Sequence, residues 1–366
     1  MNDYILPGIY IEDGLHEKSI NLESFATLFL SFEIKDEEIK DSRKVVYLES
    51  ISDIQNYPFL KDKFFLKEAI SVYFENGGKQ LYIMPQASKE TILDSKGYRV
   101  FLENRIDSLI DIETIVLVDI FFKDNLTHSQ IQSLQNSVSS YCKSTNRLSI
   151  MDLALDSNPI DYASKLYYTM TFYPWLIDKN KKRVPPSIYV SALFSSLSSQ
   201  NKVFHSIANI KLNSAVDTDL IMNRDYSAKL YANSINPIVY IQNDGYRIWG
   251  IKTLGDDIVD INTLRVLFFI KRTLYLIAKE YVFEPNNDIL KEKIIRKVKN
   301  FLFHLWKSSA LKGRTQEEAF FLRVEESKDE ELRVRVAVSI AKPLEYIVIH
   351  LNRVTDSNLQ STLNIF

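Results

Sequence analysis

Thr114-Ile115-Val116-Leu117-Val118-Asp119 is an apolar run ended by an acid, and Leu148-Ser149-Ile150-Met151-Asp152-Leu153 is a second one; Thr127 to Lys143, between them, has helical spacing. Runs of this kind suit strands buried on both faces, and strands alternating with helices imply an α/β unit with a partly parallel sheet. Working outward, residues 24–32 and 44–48 read as further strands, Lys61 to Glu75 as a helix, Asn76-Gly77-Gly78 as its turn or C-cap, and Lys79 to Met84 as the next strand. Downstream, Pro159 to Leu166 suggests a helix and Leu166 to Tyr173 a strand stopped by Pro174, followed by an exposed loop at Lys179 to Arg183 and Pro185-Pro186. The serine-rich stretch 195–201 carries no assignment.

The ends differ from this core. Residues 4–12, Tyr-Ile-Leu-Pro-Gly-Ile-Tyr-Ile-Glu, read as a β-prone arm in which Pro7 cannot donate to a ladder, so the arm needs an edge to pair with. From Asn262 the pattern becomes two long helices, about Asn262 to Tyr281 and Asn287 to Lys307, separated by a Pro and Asn turn that stops one and caps the next. Phe320 to Val324, Leu332 to Ile340 and Tyr346 to Val354 read as strands; Arg333, Val334, Arg335 and Val336 alternate wet and buried, and Ile347, Ile349 and Leu351 share a face. Asp356 to Phe366 is polar with Leu359, Leu363, Ile365 and Phe366 interspersed, a second arm.

Composition narrows the function classes. At 366 residues, 46% hydrophobic and 25% charged, the chain has room for two or three domains and is neither fibrous nor wholly disordered. A single Cys excludes a disulfide framework within the chain, and five His at 16, 128, 205, 304 and 350 include no pair at helical ligand spacing, so no metal site and no cofactor are expected. The start lacks the basic region and apolar run of a secretory signal, and no stretch reaches the roughly 18 apolar residues that cross a bilayer, so cytoplasmic assembly without membrane insertion is expected. A net charge of −2 speaks against nucleic-acid binding, but Gly245 to Phe366 holds 20 Lys and Arg against 16 Asp and Glu, leaving 25 against 31 upstream.

No catalytic residue is expected. Asp119 and Asp152 close strands where α/β active sites often lie, yet neither comes with a base, a nucleophile or a phosphate-cradling glycine pattern. Asn76-Gly77-Gly78-Lys79 lacks the phosphate-loop spacing and follows a helix instead of preceding one; Cys142 reads as a buried apolar residue. The second long helix is more informative: Leu290, Ile294, Ile295, Val298, Phe301, Leu302, Leu305 and Trp306 gather on one arc, and Lys293, Arg296, Lys297, Lys299 and Lys307 on the opposite one. That cationic arc is either a solvated face or a docking surface for an acidic partner.

Several segments resemble the contractile tail sheath family of phages, R-type tailocins and extracellular contractile injection systems. Leu6-Pro7-Gly8-Ile9-Tyr10-Ile11-Glu12 is similar to the family's opening PGVYVEE, and Ala69 to Tyr82 to its helix, NGG turn and strand. The series continues through Tyr141-Cys142 to Asp152, Tyr173-Pro174-Trp175 and Val184-Pro185-Pro186-Ser187. Gly245 to Leu254 and Val282-Phe283-Glu284-Pro285-Asn286 complete it, so the collinear motifs span about residues 6–350. Lys252 departs from the usual Arg, Lys202 to Asn209 keeps little of a glycine- and proline-containing segment, and nine Gly in a short chain speak against extra surface domains.

The resemblance implies a structural subunit that stacks as hexameric rings around an inner tube and contracts. Its implied partners are further copies, with or without sheath paralogues, the tube protein, and baseplate and tail terminator or cap proteins. It implies a mixed α/β fold: an N-terminal arm (1–20), an inner domain built from 21–90 and 241–354, an inserted outer α/β domain (91–240), and a C-terminal arm (355–366). Ile5, Pro7, Gly8, Ile9, Tyr10 and Ile11, with Leu359, Leu363, Ile365 and Phe366, are then inter-subunit arm contacts. Val334, Val336, Val338, Ile347 and Ile349 mark the accepting strands, and Lys293, Arg296, Lys297 and Lys299 face an acidic tube. Short length favours an injection-system sheath over a phage or tailocin sheath, and an α/β enzyme is the alternative outside the family.

Overall fold

The computed structural model describes residues 25–122, 126–155, 158–159, 166–200, 202–220, 222–255, 260–281, 284–285, 287–326 and 332–341. In chain order its first elements are β1 (Ala26–Ser31), β2 (Val46–Leu48), α1 (Phe64–Glu75), β3 (Leu81–Pro85), α2 (Lys89–Leu93), α3 (Ser95–Ile106), β4 (Ile112–Leu117), α4 (His128–Thr145) and β5 (Leu148–Met151). Then come β6 (Thr169–Tyr173), β7 (Leu176–Asp178), β8 (Arg183–Val184), α5 (Pro186–Ser199), β9 (Ala215–Thr218), α6 (Arg224–Ala232), β10 (Asn236–Ile241) and β11 (Gly245–Ile248). The chain continues through α7 (Ile261–Lys279), α8 (Asp288–Lys307), α9 (Gln316–Ala319), β12 (Phe320–Glu326) and β13 (Leu332–Val338).

Eight of the described strands form one sheet in the order β11-β10-β6-β5-β4-β1-β3-β2. The six inner strands run parallel, and β2 and β11 close the edges antiparallel. Both faces are covered, which explains the apolar runs. Phe29, Val116 and Ile150 join a core with α1 and α5, whereas Leu28, Leu30, Ile115 and Leu117 join one with α2, α3 and α4. Helix α4 starts at a reciprocal cap: the Gln130 backbone N–H donates to Thr127 Oγ1 at 3.4 Å, and the Thr127 N–H to Gln130 Oε1 at 3.0 Å. At the end of α1, Gly77 takes φ +89°, and a Cβ on Gly78 would come within 2.2 Å of the Tyr73 ring, so that turn needs both glycines.

Helix α5 is a departure from the sequence reading. It runs through the serine-rich stretch and is buried nearly all round, so it carries no polar stripe to reveal it. Two of its serines satisfy themselves locally: Ser191 Oγ donates to the Ile188 carbonyl at 3.0 Å, and Ser198 Oγ to that of Phe194 at 2.8 Å.

A third core lies between α7, α8 and the β12–β13 hairpin, from Val266, Ile270 and Ile277 across Leu290, Ile294, Val298, Leu302 and Leu305 to Phe320. Asn287 caps α8, as its position in the sequence suggests, by accepting the Leu290 N–H at 2.9 Å. Helix α7 belongs to two cores at once, because its Ile261, Leu264 and Phe268 pack with the sheet. A buried ion pair fixes that junction, with Arg265 Nε donating to Glu113 Oε1 at 3.0 Å and Nη2 to Oε2 at 3.1 Å. Phe25, just ahead of β1, packs on Phe269 of α7 at 5.9 Å between ring centroids, so the N-terminal approach to the sheet meets the C-terminal unit.

The expected boundary near residue 90 runs through this sheet, since β1 is hydrogen-bonded to β3 on one side and to β4 on the other. The boundary near residue 240 likewise falls at the end of β10, which pairs with β6 upstream and β11 downstream. Strands from the expected inner and outer domains thus share one sheet.

Candidate functional site

The sheet reverses strand order between β1 and β4, the crevice where open α/β folds commonly bind ligands. Here the chain's own groups fill it. Asp119 accepts from Ser31 Oγ at 2.6 Å and from the backbone N–H of Phe32 (2.8 Å) and Glu33 (3.1 Å). Glu33 turns away to accept the Leu66 N–H at 2.6 Å at the start of α1, and Phe65 and Phe122 pack at 4.1 Å beside it. Burial pushes the Asp119 carboxyl up to about 6 against the pull of its hydrogen bonds.

Asp152 has the same character. It accepts from Ser187 N–H at 3.0 Å and Ser187 Oγ at 2.5 Å in the first turn of α5, and burial raises it to about 7. Both acids hold local structure together. Cys142 is buried, and burial pushes its thiol up to about 12, far from a thiolate nucleophile. Among the described residues no group of three His, Cys, Asp or Glu could hold a metal ion, and no helix is long and apolar enough to cross a membrane.

The cationic arc of α8 is partly neutralised by carboxylates that precede it in the chain. Lys293 pairs with Glu284 at 3.3 Å and Lys297 with Glu280, carboxylates from the end of α7 and the turn after it. Arg296 and Lys299 point outward, with no ion pair to another described residue. Ile295, expected on the packed arc, is 37% exposed beside them, and Ile289, in the first turn of α8, is 66% exposed. The outer face of α8 is therefore basic with an apolar margin. Ile295 lies outside the core because α8 packs along Leu290, Ile294, Val298, Leu302 and Leu305, a narrower stripe than the arc drawn from sequence.

The hairpin pairs Phe320 with Val338, Leu322 with Val336 and Val324 with Val334. Leu322, Val336 and Val338 pack against α8, while Phe321 and Arg335 stand on the opposite, exposed face. Only these two strands form this sheet among the described residues, so each offers an outer backbone edge. Of the expected accepting residues, Val336 and Val338 lie on the packed face and Val334 at its exposed end. Ile347 and Ile349, and all ten arm residues from Ile5 to Ile11 and from Leu359 to Phe366, lie outside the described residues. The expected helix after Pro159 and the strand after Tyr346 also lie largely or wholly outside them.

Comparison with known proteins places this architecture. Residues 255–352 match the family described as the phage tail sheath C-terminal domain, while the search of curated proteins gives no match. A chain of the anti-feeding prophage baseplate, six-fold symmetrised, superposes with a TM-score of 0.75 at 21% identity, over 96% of this chain and 99% of that one. A chain of the PVC sheath complex in its contracted state, from an extracellular contractile injection system, gives 0.74 at 20%, over 96% and 98%. The sheath tail protein of Listeria innocua gives 0.59 at 9%, over 87% and 96%. The mixed α/β fold is that of sheath proteins, and the family resemblance read from the sequence holds.

Proposed function

We propose that this chain is the repeating, non-catalytic subunit of a contractile sheath. It assembles in the bacterial cytoplasm as stacked hexameric rings around an inner tube, bounded by baseplate and tail terminator or cap proteins. On a baseplate signal the rings rotate and compact, and the tube is driven through a target envelope. No nucleotide is needed when assembly traps the extended state and the contracted contacts are the more favourable.

The observation that carries this reading is the β12–β13 hairpin, seated on α8 and, among the described residues, a two-stranded sheet with two outer edges. Main-chain pairing at such edges tolerates rotation of the donor body, because the bonds belong to the added strand and not to a rigid interface. Residues 4–12 and 355–366 are the proposed donors, to strands around 332–340 and 345–354 of a neighbour. The basic outer face of α8 is the proposed contact with an acidic tube. Arg296 and Lys299 are its leading charges, and Lys293 and Lys297 join it by exchanging Glu284 and Glu280 for tube carboxylates. The injection-system setting is supported by the higher TM-scores to anti-feeding prophage and PVC chains, and the phage-tail alternative by the matching family description.

The test is negative-stain electron microscopy of the protein alone and co-expressed with a candidate tube protein, beside a variant truncated after Val354. Striated hollow cylinders that vanish on truncation are the expected result. Discrete monomers in every preparation would return the α/β enzyme to first place.

A further inference from the structure

Three carboxyls and two ammonium groups meet where the β7–β8 turn lies against α1. Glu68 of α1 accepts from Asn180 Nδ2 at 2.8 Å and from Lys182 Nζ at 2.5 Å, and Glu75, about two turns on, accepts from Lys179 Nζ at 2.6 Å. Asp178, at the end of β7, is 1% exposed and closes the turn from within: its Oδ1 accepts the backbone N–H of Asn180 at 2.9 Å and of Lys182 at 2.7 Å. Asn180 and Lys182 thus hold Asp178 with their backbone and Glu68 with their side chains. Asp178 Oδ2 is buried and has no hydrogen-bond donor among the described residues. An ionised oxygen in that position is costly, and a proton on it removes the cost.

The other charges around the pair are accounted for. Lys182 is matched to Glu68 and Lys179 to Glu75, while Lys67 and Lys181 are exposed. Tyr189 of α5 stays neutral, because burial raises its hydroxyl well above the ordinary value. Strand β9 sets Ala215 opposite Asp178 and Asp217 opposite Ile177, where Asp217 accepts the Tyr246 hydroxyl at 3.3 Å; Arg183 of β8 is held by Asp219 at 2.8 Å. A third carboxylate beside two matched pairs would be an uncompensated buried charge. Burial, and then the Glu68 carboxyl, raise Asp178; burial also opposes the charge on Glu68, but the bonds from Asp178, Lys182 and Asn180 outweigh it and hold Glu68 low. We propose that Asp178 takes up a proton and hydrogen-bonds through it to Glu68, a pH-sensitive latch that fastens the β7–β8 turn, and with it the sheet β8-β7-β9, to α1. The latch is closed while Asp178 is neutral and Glu68 ionised. It loosens as pH rises through the raised value of Asp178, and at the acid end it is lost only as Glu68 protonates below its ordinary value. Lys182, whose Nζ lies 4.2 Å from the centre of the Phe64 ring, lines with Phe64 a surface groove of about 580 Å³, so the latch sets one wall of that groove.

The latch does not depend on assembly and is tested on the full-length, unassembled chain. Amide hydrogen exchange at Asn180 and Lys182, corrected for intrinsic rates and referred to Ile150 in the central sheet, is followed from about pH 5 to about pH 8. Protection of the two turn amides should fall roughly tenfold across that range in the natural chain. It should stay level in Asp178→Asn, whose amide donates to Glu68 without a titrating proton. Level protection in the natural chain, or an equal fall in Asp178→Asn, overturns the latch. Should Asp178→Asn not fold, Glu68→Gln decides: with the proton's acceptor replaced by an amide, protection of the turn should no longer follow pH, and a fall as steep as in the natural chain overturns the pairing.

Discussion

Strands β4 and β13 show two ways of using a β-strand in one chain. Every residue of β4 is buried, from Ile112 to Leu117, between helices on both sides of the sheet. In β13 Val336 and Val338 pack on α8 while Arg335 and Ala337 face outward, and the strand has one described partner. The first is an insulated scaffold, complete within one chain. The second is one-sided, and its stability rests on packing against α8, because a two-stranded hairpin alone is marginal in water. The difference teaches where an added strand finds backbone groups to pair with: beside β13, which has one strand partner among the described residues, and not beside β4, which is paired on both sides by β1 and β5.

The largest effect is expected where the two regions are joined. Glu113→Gln leaves Arg265 buried without its counter-charge and should cost about 3–5 kcal/mol in urea unfolding. If the regions unfold together, one transition shifts; two transitions would show that the C-terminal unit separates first. Next, Leu302→Ala hollows the core under the hairpin and should cost about 3 kcal/mol. Proteolysis should then cut between residues 308 and 341 well before the sheet, and cleavage spread evenly over the chain would show that the two regions do not differ in stability.

A smaller effect is expected from pH, and it belongs to the sheet region. The carboxyls of Asp119 and Asp152 titrate at about 6 and about 7, above their unfolded values, so the folded protein keeps protons that the unfolded chain releases. Their contribution is whole below about pH 4 and is lost as pH rises to about 7. Asp152→Asn should flatten that part of the stability profile, by on the order of 2 kcal/mol across the window, as read from urea midpoints at each pH. Asp36 and Glu38, held low by Arg105 and Lys63 respectively, slope the other way and remain in the variant. The smallest change in stability, within about 0.5 kcal/mol, is expected for Arg296→Glu with Lys299→Glu on the outer face of α8. The same pair should nevertheless weaken co-assembly with tube, most visibly at low salt; full co-assembly would detach this face from the tube.

The sequence makes the scaffold legible where its signal is local. The apolar runs at β4 and β5, the Thr127 cap of α4, the Asn287 cap of α8 and the valines of β13 are each fixed by neighbours a few positions away. Helix α5 is hidden because burial on all sides removes its amphipathic period, and β10 because Pro237 interrupts a short strand. In the candidate docking face the charges are legible but their partners are not. Lys293 and Lys297 are met by Glu284 and Glu280 across a helix turn, which no spacing within α8 shows.

What the sequence determined by itself was the kind of element at β4, β5, α1, α4, α7 and α8, the polarity of each end and the family likeness, because these rest on composition and near-neighbour period. The tertiary structure decided that strands from both sides of the expected domain boundaries share one sheet, and that Asp119 and Asp152 cap backbone and hydroxyl groups. It also decided that Arg265 has a carboxylate and Arg272 has none in contact among the described residues. These depend on partners far apart along the chain, such as Arg265 and Glu113, which only the packing of α7 against the sheet brings within hydrogen-bond distance.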